Sequence, residues 1–171
     1  MSFVFRSIGN KHWYSDDQPD FKDWLADGEL VADALKELRT TRGSLSVYRV
    51  DSEKRSFDRV VSAYACTRNS LNDIDYVLLP LEVIEASFDI SATLGETADD
   101  EVNEMHLDIE HLSASKLLLL AHIFQDHHSS MVRIRKKLIT SKIRISIERK
   151  HLDFSRINKA LQSRFSEFVS R

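Results

Sequence analysis

Histidines and carboxylates cluster after residue 105, and these side chains are suited to binding metal ions or transferring protons. Six of the seven histidines lie in that region. The densest group is His106, Asp108, Glu110 and His111. We predict a helix over residues 100–111, on which His106 and Glu110 are four positions apart and Asp108 and His111 three apart, so the two pairs lie on different faces. Ligands from a second element are therefore needed to hold one ion.

A second element with suitable side chains is the apolar helix that we predict near 113–129, which carries His122 and Asp126 four positions apart. If the two helices are antiparallel, the candidate metal ligands are His106, Asp108, His111, His122 and Asp126. The alternative is that the histidines are surface residues near helix C-termini, where the helix dipole favours them. The sequence has no H-E-x-x-H motif, no paired cysteines and no nucleotide-binding loop, so we expect no cofactor.

A run of cationic side chains occupies residues 131–150. The candidate binding residues for nucleic acid or another acidic partner are Arg133, Arg135, Lys136, Lys137, Lys142, Arg144, Arg149 and Lys150. In a β-hairpin, residues 133, 135, 142 and 144 share one face opposite the isoleucines, and could follow phosphates without reading bases. Few aromatic residues interleave with them, so stacking on single-stranded bases is not indicated.

The eight residues from Arg144 to His151 form an Arg-x(6)-His pattern. This pattern resembles the Arg-x(4–6)-His signature of HEPN-type ribonucleases. The resemblance implies an all-helical fold in which Arg144 and His151 act as a pair across a dimer. A strand over 142–149 is incompatible with that fold, so the hairpin interpretation and this resemblance exclude each other.

The charge is distributed unevenly along the chain. Residues 1–130 carry 12 Lys and Arg against 24 Asp and Glu, whereas residues 131–171 carry 12 against 3. Such an asymmetry indicates a surface for an acidic partner, or a basic tail that pairs with the acidic body of its own chain or of a second copy. The start of the sequence lacks the features of a secretory signal and there is one cysteine, so we expect a cytoplasmic protein that does not bind membranes.

Hydrophobic spacing predicts most of the secondary structure. We expect helices over about 19–39, 57–68, 100–111, 113–129 and 154–169 and strands over 44–51, 74–79 and 88–94. The helix near 113–129 is apolar over more than half its circumference and should be buried on several sides. The helix over 154–169 is amphipathic, and residues 95–101 form an acidic surface loop.

Residues 131–150 fit two periods. Val132 and Ile134 alternate with arginines, as do Ile143, Ile145 and Ile147 with polar residues, which favours a basic hairpin that turns near 139–141. A helix would instead place Ile139, Ile143 and Ile147 on one face. We favour the hairpin because its period is matched more fully over 142–149.

These elements predict an α+β fold with a small mixed or antiparallel sheet covered by helices, and one domain over 1–171. An alternative division separates an acidic α/β part, 1–95, from a helix-rich part with a basic end, 96–171. The function that we favour is non-enzymatic, through protein contacts as an accessory subunit or homo-oligomer. The alternatives are a nucleic-acid-binding module that uses 131–150, and a metal-dependent or HEPN-like nuclease of a toxin or defence system.

Overall fold

The computed structural model of the chain describes residues 2–14, 30–51 and 54–169. Six strands form one sheet in the order β4-β5-β2-β1-β3-β6, and every neighbouring pair is antiparallel. The strands are β1 (Ser2–Ile8), β2 (Leu45–Asp51), β3 (Ile74–Pro80), β4 (Asp89–Ala92), β5 (His106–Glu110) and β6 (Val132–Ile134). The expected α+β class is confirmed, and the sheet is antiparallel.

Seven α-helices are present in the described ranges, and they pack on both faces of the sheet. They are α1 (Ala32–Glu37), α2 (Lys54–Cys66), α3 (Leu81–Glu85), α4 (Asp100–Glu104), α5 (Ala114–Asp126), α6 (Lys136–Glu148) and α7 (Lys159–Phe165). Within these residues, no helix is both long enough and apolar enough to cross a membrane. Most of the helix predicted over 19–39 lies outside the described residues, and α1 is the part that the structure shows.

The sheet separates two hydrophobic clusters because successive side chains of a strand point to opposite faces. Phe5 packs with Val60, Ile143 and Phe165 in the cluster under α2, α6 and α7. Its neighbour Val4 belongs to the cluster under α1, α3 and α5. Strand β3 is apolar on both sides for this reason, and all but two of its seven residues are buried.

The helix predicted over 100–111 is wrong after residue 104. Asp99 caps α4 by accepting hydrogen bonds from the backbone N–H groups of Glu101 and Val102, and the helix ends at Glu104. The next residues form β5 between β2 and β4, with Leu107 and Ile109 buried. Pairing on both sides satisfies the backbone of β5, which outweighs a weak local preference for helix.

The predicted hairpin over 131–150 is also wrong, and the helical alternative is correct for most of it. Strand β6 pairs with β3, and α6 follows from Lys136. Ile139 and Ile143 are fully buried, whereas Ile145 is 42% exposed. The isoleucines fit both periods in sequence, and packing against α2 selects the helical one.

Three further expectations differ from the structure. The long helix near 113–129, buried on several sides, is not confirmed: α5 spans Ala114–Asp126, and Leu118 and Leu119 are nearly half exposed. The C-terminal helix is interrupted, with 3-10 turns at Phe154–Arg156 and Ser166–Phe168 on either side of α7. The predicted acidic surface loop is partly interior, because Thr97 and Asp99 are buried.

Candidate functional site

Within residues 2–14, 30–51 and 54–169, three of the eight predicted basic residues form ion pairs. Arg133 binds Asp75 through two hydrogen bonds of 2.7 Å, from Nε and from Nη2. Arg135 donates to the Asp73 carboxylate at 2.9 Å, and Lys142 pairs with Asp58. These three cations stabilise the fold through their ion pairs. They are therefore less available to a binding partner than unpaired cations are.

The Arg133–Asp75 pair joins the edge strand β6 to β3. Asp75 is 4% exposed. Burial raises the pKa of its carboxyl, but the hydrogen bonds from Arg133, the Lys11 backbone N–H and the nearby positive charges outweigh that effect, and the net result is a lowered pKa. Asp75 is therefore held as an anion, and its hydrogen bonds raise the pKa of Arg133.

A second group of cations lines an open groove on α6. Lys136, Lys137 and Arg144 from α6 meet Arg164 from α7 there, in a volume of about 440 Å³. The basic groove is lined by Lys136, Lys137, Thr140, Ser141, Arg144 and Arg164, with no carboxylate among these residues. Within the described part of the chain, none of the four cations forms an ion pair.

The groove follows from how α6 and α7 pack. Lys137, Ser141 and Arg144 are spaced by four and three residues, so they lie on one helix face, away from the buried Ile139 and Ile143. Arg164 is carried to the same place because its neighbour Phe165 is buried in the cluster beneath α6. The guanidinium carbon of Arg144 lies 4.7 Å from the centroid of the Phe168 ring, a cation–π contact that positions this side chain.

Two exposed aliphatic side chains lie beside the basic groove. Leu138 is 51% and Ile145 is 42% exposed, and they are seven residues apart on α6, so they lie on the same side of the helix. We call the basic groove together with Leu138 and Ile145 the α6 surface. It offers apolar area next to positive charge.

Beyond Ile145, a larger cleft of about 760 Å³ separates α6 from α2 and α4. Its cations are already paired for the most part: Arg59 donates to both Asp99 oxygens, at 2.8 and 2.6 Å, and also pairs with Glu101. The Asp99 hydrogen bond and charge raise the pKa of Arg59. The lining includes the carboxylates of Asp51, Asp58 and Glu101, so this mixed-charge cleft differs from the basic groove.

Arg144 and His151 lie on different surfaces. Arg144 lines the basic groove, whereas His151 lines the mixed-charge cleft together with Arg149. The separation arises where α6 ends: Lys150 has a φ of 58°, and the backbone N–H of His151 donates to the carbonyl of Ser146. This Schellman arrangement turns the chain before His151. Neither this placement nor the antiparallel sheet matches the all-helical arrangement that the HEPN resemblance implies.

The structure brings His106 and Asp108 together through a residue that sequence reasoning missed. Thr93 Oγ1 lies 2.7 Å from His106 Nδ1 and 2.9 Å from Asp108 Oδ2. Ser46 Oγ donates to the other Asp108 oxygen at 2.9 Å. The carboxylate can only accept, so the Thr93 proton points to Asp108 and the Thr93 oxygen accepts from His106. This arrangement fits an imidazole ring with a proton on Nδ1.

The remaining metal candidates do not join them. His122 and Asp126 are exposed on α5, and His111 is exposed in a left-handed turn with φ of 53°. Leu107 and Ile109 face α5, so strand alternation directs His106 and Asp108 to the other face of the sheet. In the ranges that the structure describes, no group of three or more His, Cys, Asp or Glu side chains could hold a metal ion.

One residue that lines the groove, Arg164, was not among the basic residues predicted from the sequence. Arg164 reaches the groove, and Phe168 reaches Arg144, because α7 and the turn that follows pack against α6. Asp75 did carry a signal, since a carboxylate inside an apolar run must be paired if it is buried.

The fold and the site together define an α+β protein with a cationic groove on one helix. Comparison of the chain with protein-family models, with curated proteins and with solved structures found no match.

Proposed function

We propose that the chain acts without catalysis, as a protein-binding module whose α6 surface binds an acidic, amphipathic segment of a partner protein. The observation that supports this most directly is that unpaired positive charge and exposed apolar side chains lie on adjoining sides of one helix. Acidic side chains of the partner would reach the basic groove, while aliphatic ones cover Leu138 and Ile145.

Within the described residues, the cations of the basic groove differ from Arg133, Arg135 and Lys142 in having no ion pair with their own chain. Elsewhere the chain supplies Asp58, Asp73 and Asp75 to Lys142, Arg135 and Arg133. The groove concentrates four cations without a lining carboxylate. Neighbouring like charges repel each other, so an anionic partner gains both from its own contacts and from relief of that repulsion.

The same surface fits a protein segment better than a nucleic acid. A sugar–phosphate backbone has little apolar area to cover Leu138 and Ile145. The ring of Phe168 has one face covered by the Arg144 guanidinium, so that face is not open to a base.

The test compares two anionic probes of similar length. One is a fluorescent synthetic peptide with glutamates and leucines at helical spacing, and the other is a single-stranded oligonucleotide. Both are titrated with the wild-type chain and with the double variant Leu138→Ser/Ile145→Ser. We expect this variant to bind the peptide about tenfold more weakly, which corresponds to roughly 1.4 kcal/mol of lost apolar contact.

The matched control is Leu118→Ser/Leu119→Ser, since these residues are nearly as exposed but lie on α5. It should leave peptide binding unchanged. The proposal is wrong if the peptide does not bind even at low salt, or if both double variants weaken it equally. Oligonucleotide binding that is tighter than peptide binding and unaffected by Leu138→Ser/Ile145→Ser would replace it with the nucleic-acid alternative.

A further inference from the structure

We infer that the basic groove is a phosphate-binding pocket, and that the partner segment carries a phosphomonoester on a serine or threonine side chain. This inference rests on the proposed function and specifies which chemistry the partner presents to α6. It concerns the end of the α6 surface formed by Lys136, Lys137, Ser141, Arg144 and Arg164.

The cationic side chains of the groove line one open space, and within the described residues none of them forms a hydrogen bond or an ion pair with the chain. Arg144 contacts the ring of Phe168, and Lys136, Lys137 and Arg164 are exposed. Thr140 donates its hydroxyl to the carbonyl of Lys136 at 2.9 Å, which leaves Ser141 as the available hydroxyl. The pocket can therefore offer ammonium, guanidinium and hydroxyl donors together.

Side chains supply the cationic donors of the pocket, although Lys136 and Lys137 stand at the start of α6. The first backbone N–H of α6, that of Lys136, already donates to Asp73 at 2.8 Å. Asp73 thus caps the helix from outside the groove, and an anion in the groove would be held by the side-chain donors. Two of these are guanidiniums, whose planar forks match the oxygens of a phosphate.

The amount of charge favours a phosphate over a carboxylate. Four cations meet without a lining counter-charge. One carboxylate brings a single negative charge and two oxygens, whereas a phosphomonoester brings about −1.5 to −2 at neutral pH and three strong acceptor oxygens. The groove is about 440 Å³ and open, so it has room for a phosphorylated side chain that projects from a bound peptide.

The experiment uses two peptides of identical acidic, amphipathic sequence, one with serine and one with phosphoserine at the centre. Their dissociation constants are measured with the full chain at constant ionic strength. We expect the phosphopeptide to bind at least tenfold more tightly. That ratio should shrink between about pH 7.5 and pH 5, because the phosphate gains its second proton near pH 6.

The variant Arg144→Gln/Arg164→Gln should weaken both peptides but bring their ratio close to one. Arg149→Gln/Lys150→Gln is the matched control, since it removes two exposed cations that do not line the groove, and it should keep the ratio. Amide spectra of both variants verify that they are folded. Inorganic phosphate should compete with the phosphopeptide and shift the amide signals of Ser141 and Arg144.

The outcomes separate this inference from the proposed function. Equal binding of the two peptides, sensitive to Leu138→Ser/Ile145→Ser, overturns the phosphate pocket and leaves the protein-binding proposal intact. Binding of phosphopeptide and inorganic phosphate that is sensitive to Arg144→Gln/Arg164→Gln but not to Leu138→Ser/Ile145→Ser supports the pocket and overturns the amphipathic surface. A wild-type ratio retained by Arg144→Gln/Arg164→Gln overturns the pocket.

Discussion

Asp75 is a carboxylate inside an otherwise apolar strand, and its partners explain why the fold tolerates it. It receives two hydrogen bonds from Arg133 and one of 3.4 Å from the backbone N–H of Lys11. A buried ion pair contributes little relative to apolar residues, but removal of one member leaves the other uncompensated. Because Arg133 is 34% exposed, water recovers part of that loss.

The first prediction concerns Asp75→Asn. We expect the free energy of unfolding at pH 7 to fall by about 1–3 kcal/mol, since Arg133 loses its charged partner but can still be hydrated. The pKa of Asp75 is lowered in the folded state, so its contribution is complete above the unfolded pKa of about 4 and is lost as the pH falls below it.

Urea denaturation at pH 7, 4 and 2.5 measures both effects. The wild type should lose more stability than Asp75→Asn over the acid range, so the two curves converge. Asp73→Asn is the control, because Asp73 is more exposed and its replacement should have a smaller effect. Parallel pH curves for the wild type and Asp75→Asn would show that Asp75 does not have a lowered pKa.

Sequence reasoning at this scale identified residue types and missed their partners. The histidine and carboxylate of 106 and 108 were recognised, but the helix predicted there gave them different neighbours. In the strand they are two residues apart on one face, and Thr93 of the adjoining segment links them. A hydrogen bond between residues 13 positions apart depends on strand register, which local patterns do not determine.

Helix α6 shows how a single element divides its residues between core and surface. Its isoleucines at 143 and 145 have the same side chain and nearly the same position along the chain. Ile143 is fully buried between α6 and α2, whereas Ile145 lies between the basic groove and the mixed-charge cleft. Ile143 therefore belongs to the core, and Ile145 belongs to the surface.

The second prediction compares their alanine variants. Ile143→Ala should lower the free energy of unfolding by about 2–4 kcal/mol, because it leaves a cavity in a close-packed core. Ile145→Ala should change it by less than about 0.5 kcal/mol, as is usual for an exposed site. Chemical denaturation of the two variants tests this, and equal losses would contradict the packing of α6 on α2.

Helices and strands were predicted well where the hydrophobic residues follow one period, helical or strand, and poorly where they fit both. Strands β2 and β3 and helix α2 lie close to their expected positions because their apolar residues fit one pattern. Residues 142–149 fit both periods, and the contact with α2 decided the outcome. For β5, a run of five residues was too short to be distinguished from the end of a helix.

The two hydrophobic clusters share the sheet, so the stability of one face depends on the other. Strand β5 comes late in the sequence yet lies between β2 and β4. The α+β class could be inferred from the mixture of periods, but this strand order could not, because it depends on pairings between distant segments.

The charge asymmetry seen in the sequence is partly resolved within the molecule. Lys142, Arg135 and Arg133 of the basic segment pair with Asp58, Asp73 and Asp75 of the acidic one. One interpretation of the uneven charge was that the basic segment pairs with the acidic part of its own chain. These ion pairs account in that way for some of its cations. Among the cations that they do not account for within the described residues are the four of the basic groove, Lys136, Lys137, Arg144 and Arg164.

The third prediction uses Cys66 to report on the whole core. This thiol is 1% exposed under α6 and α7, and burial raises its pKa to about 12. Because thiolate is the reactive form, a disulfide reagent at pH 8 should label Cys66 only when the core opens. Labelling should be complete in denaturant and slower than for a free thiol by about a thousandfold or more under native conditions.

If opening is global, Ile143→Ala should accelerate that labelling about tenfold for every 1.4 kcal/mol of lost stability, and Ile145→Ala should leave the rate nearly unchanged. Fast labelling of the wild type would instead show that α2 separates locally from the sheet.

Both edge strands of the sheet are short, with four residues in β4 and three in β6. Unpaired backbone at a sheet edge is the usual template for fibril growth, and natural proteins limit it with brief strands and charged side chains. Arg133 within β6 and Arg135 just after it supply that charge on one edge. We therefore expect the protein not to form fibrils at high concentration. A partner can bind through helix packing and ion pairs, whereas the short charged edges disfavour the addition of a strand to the sheet.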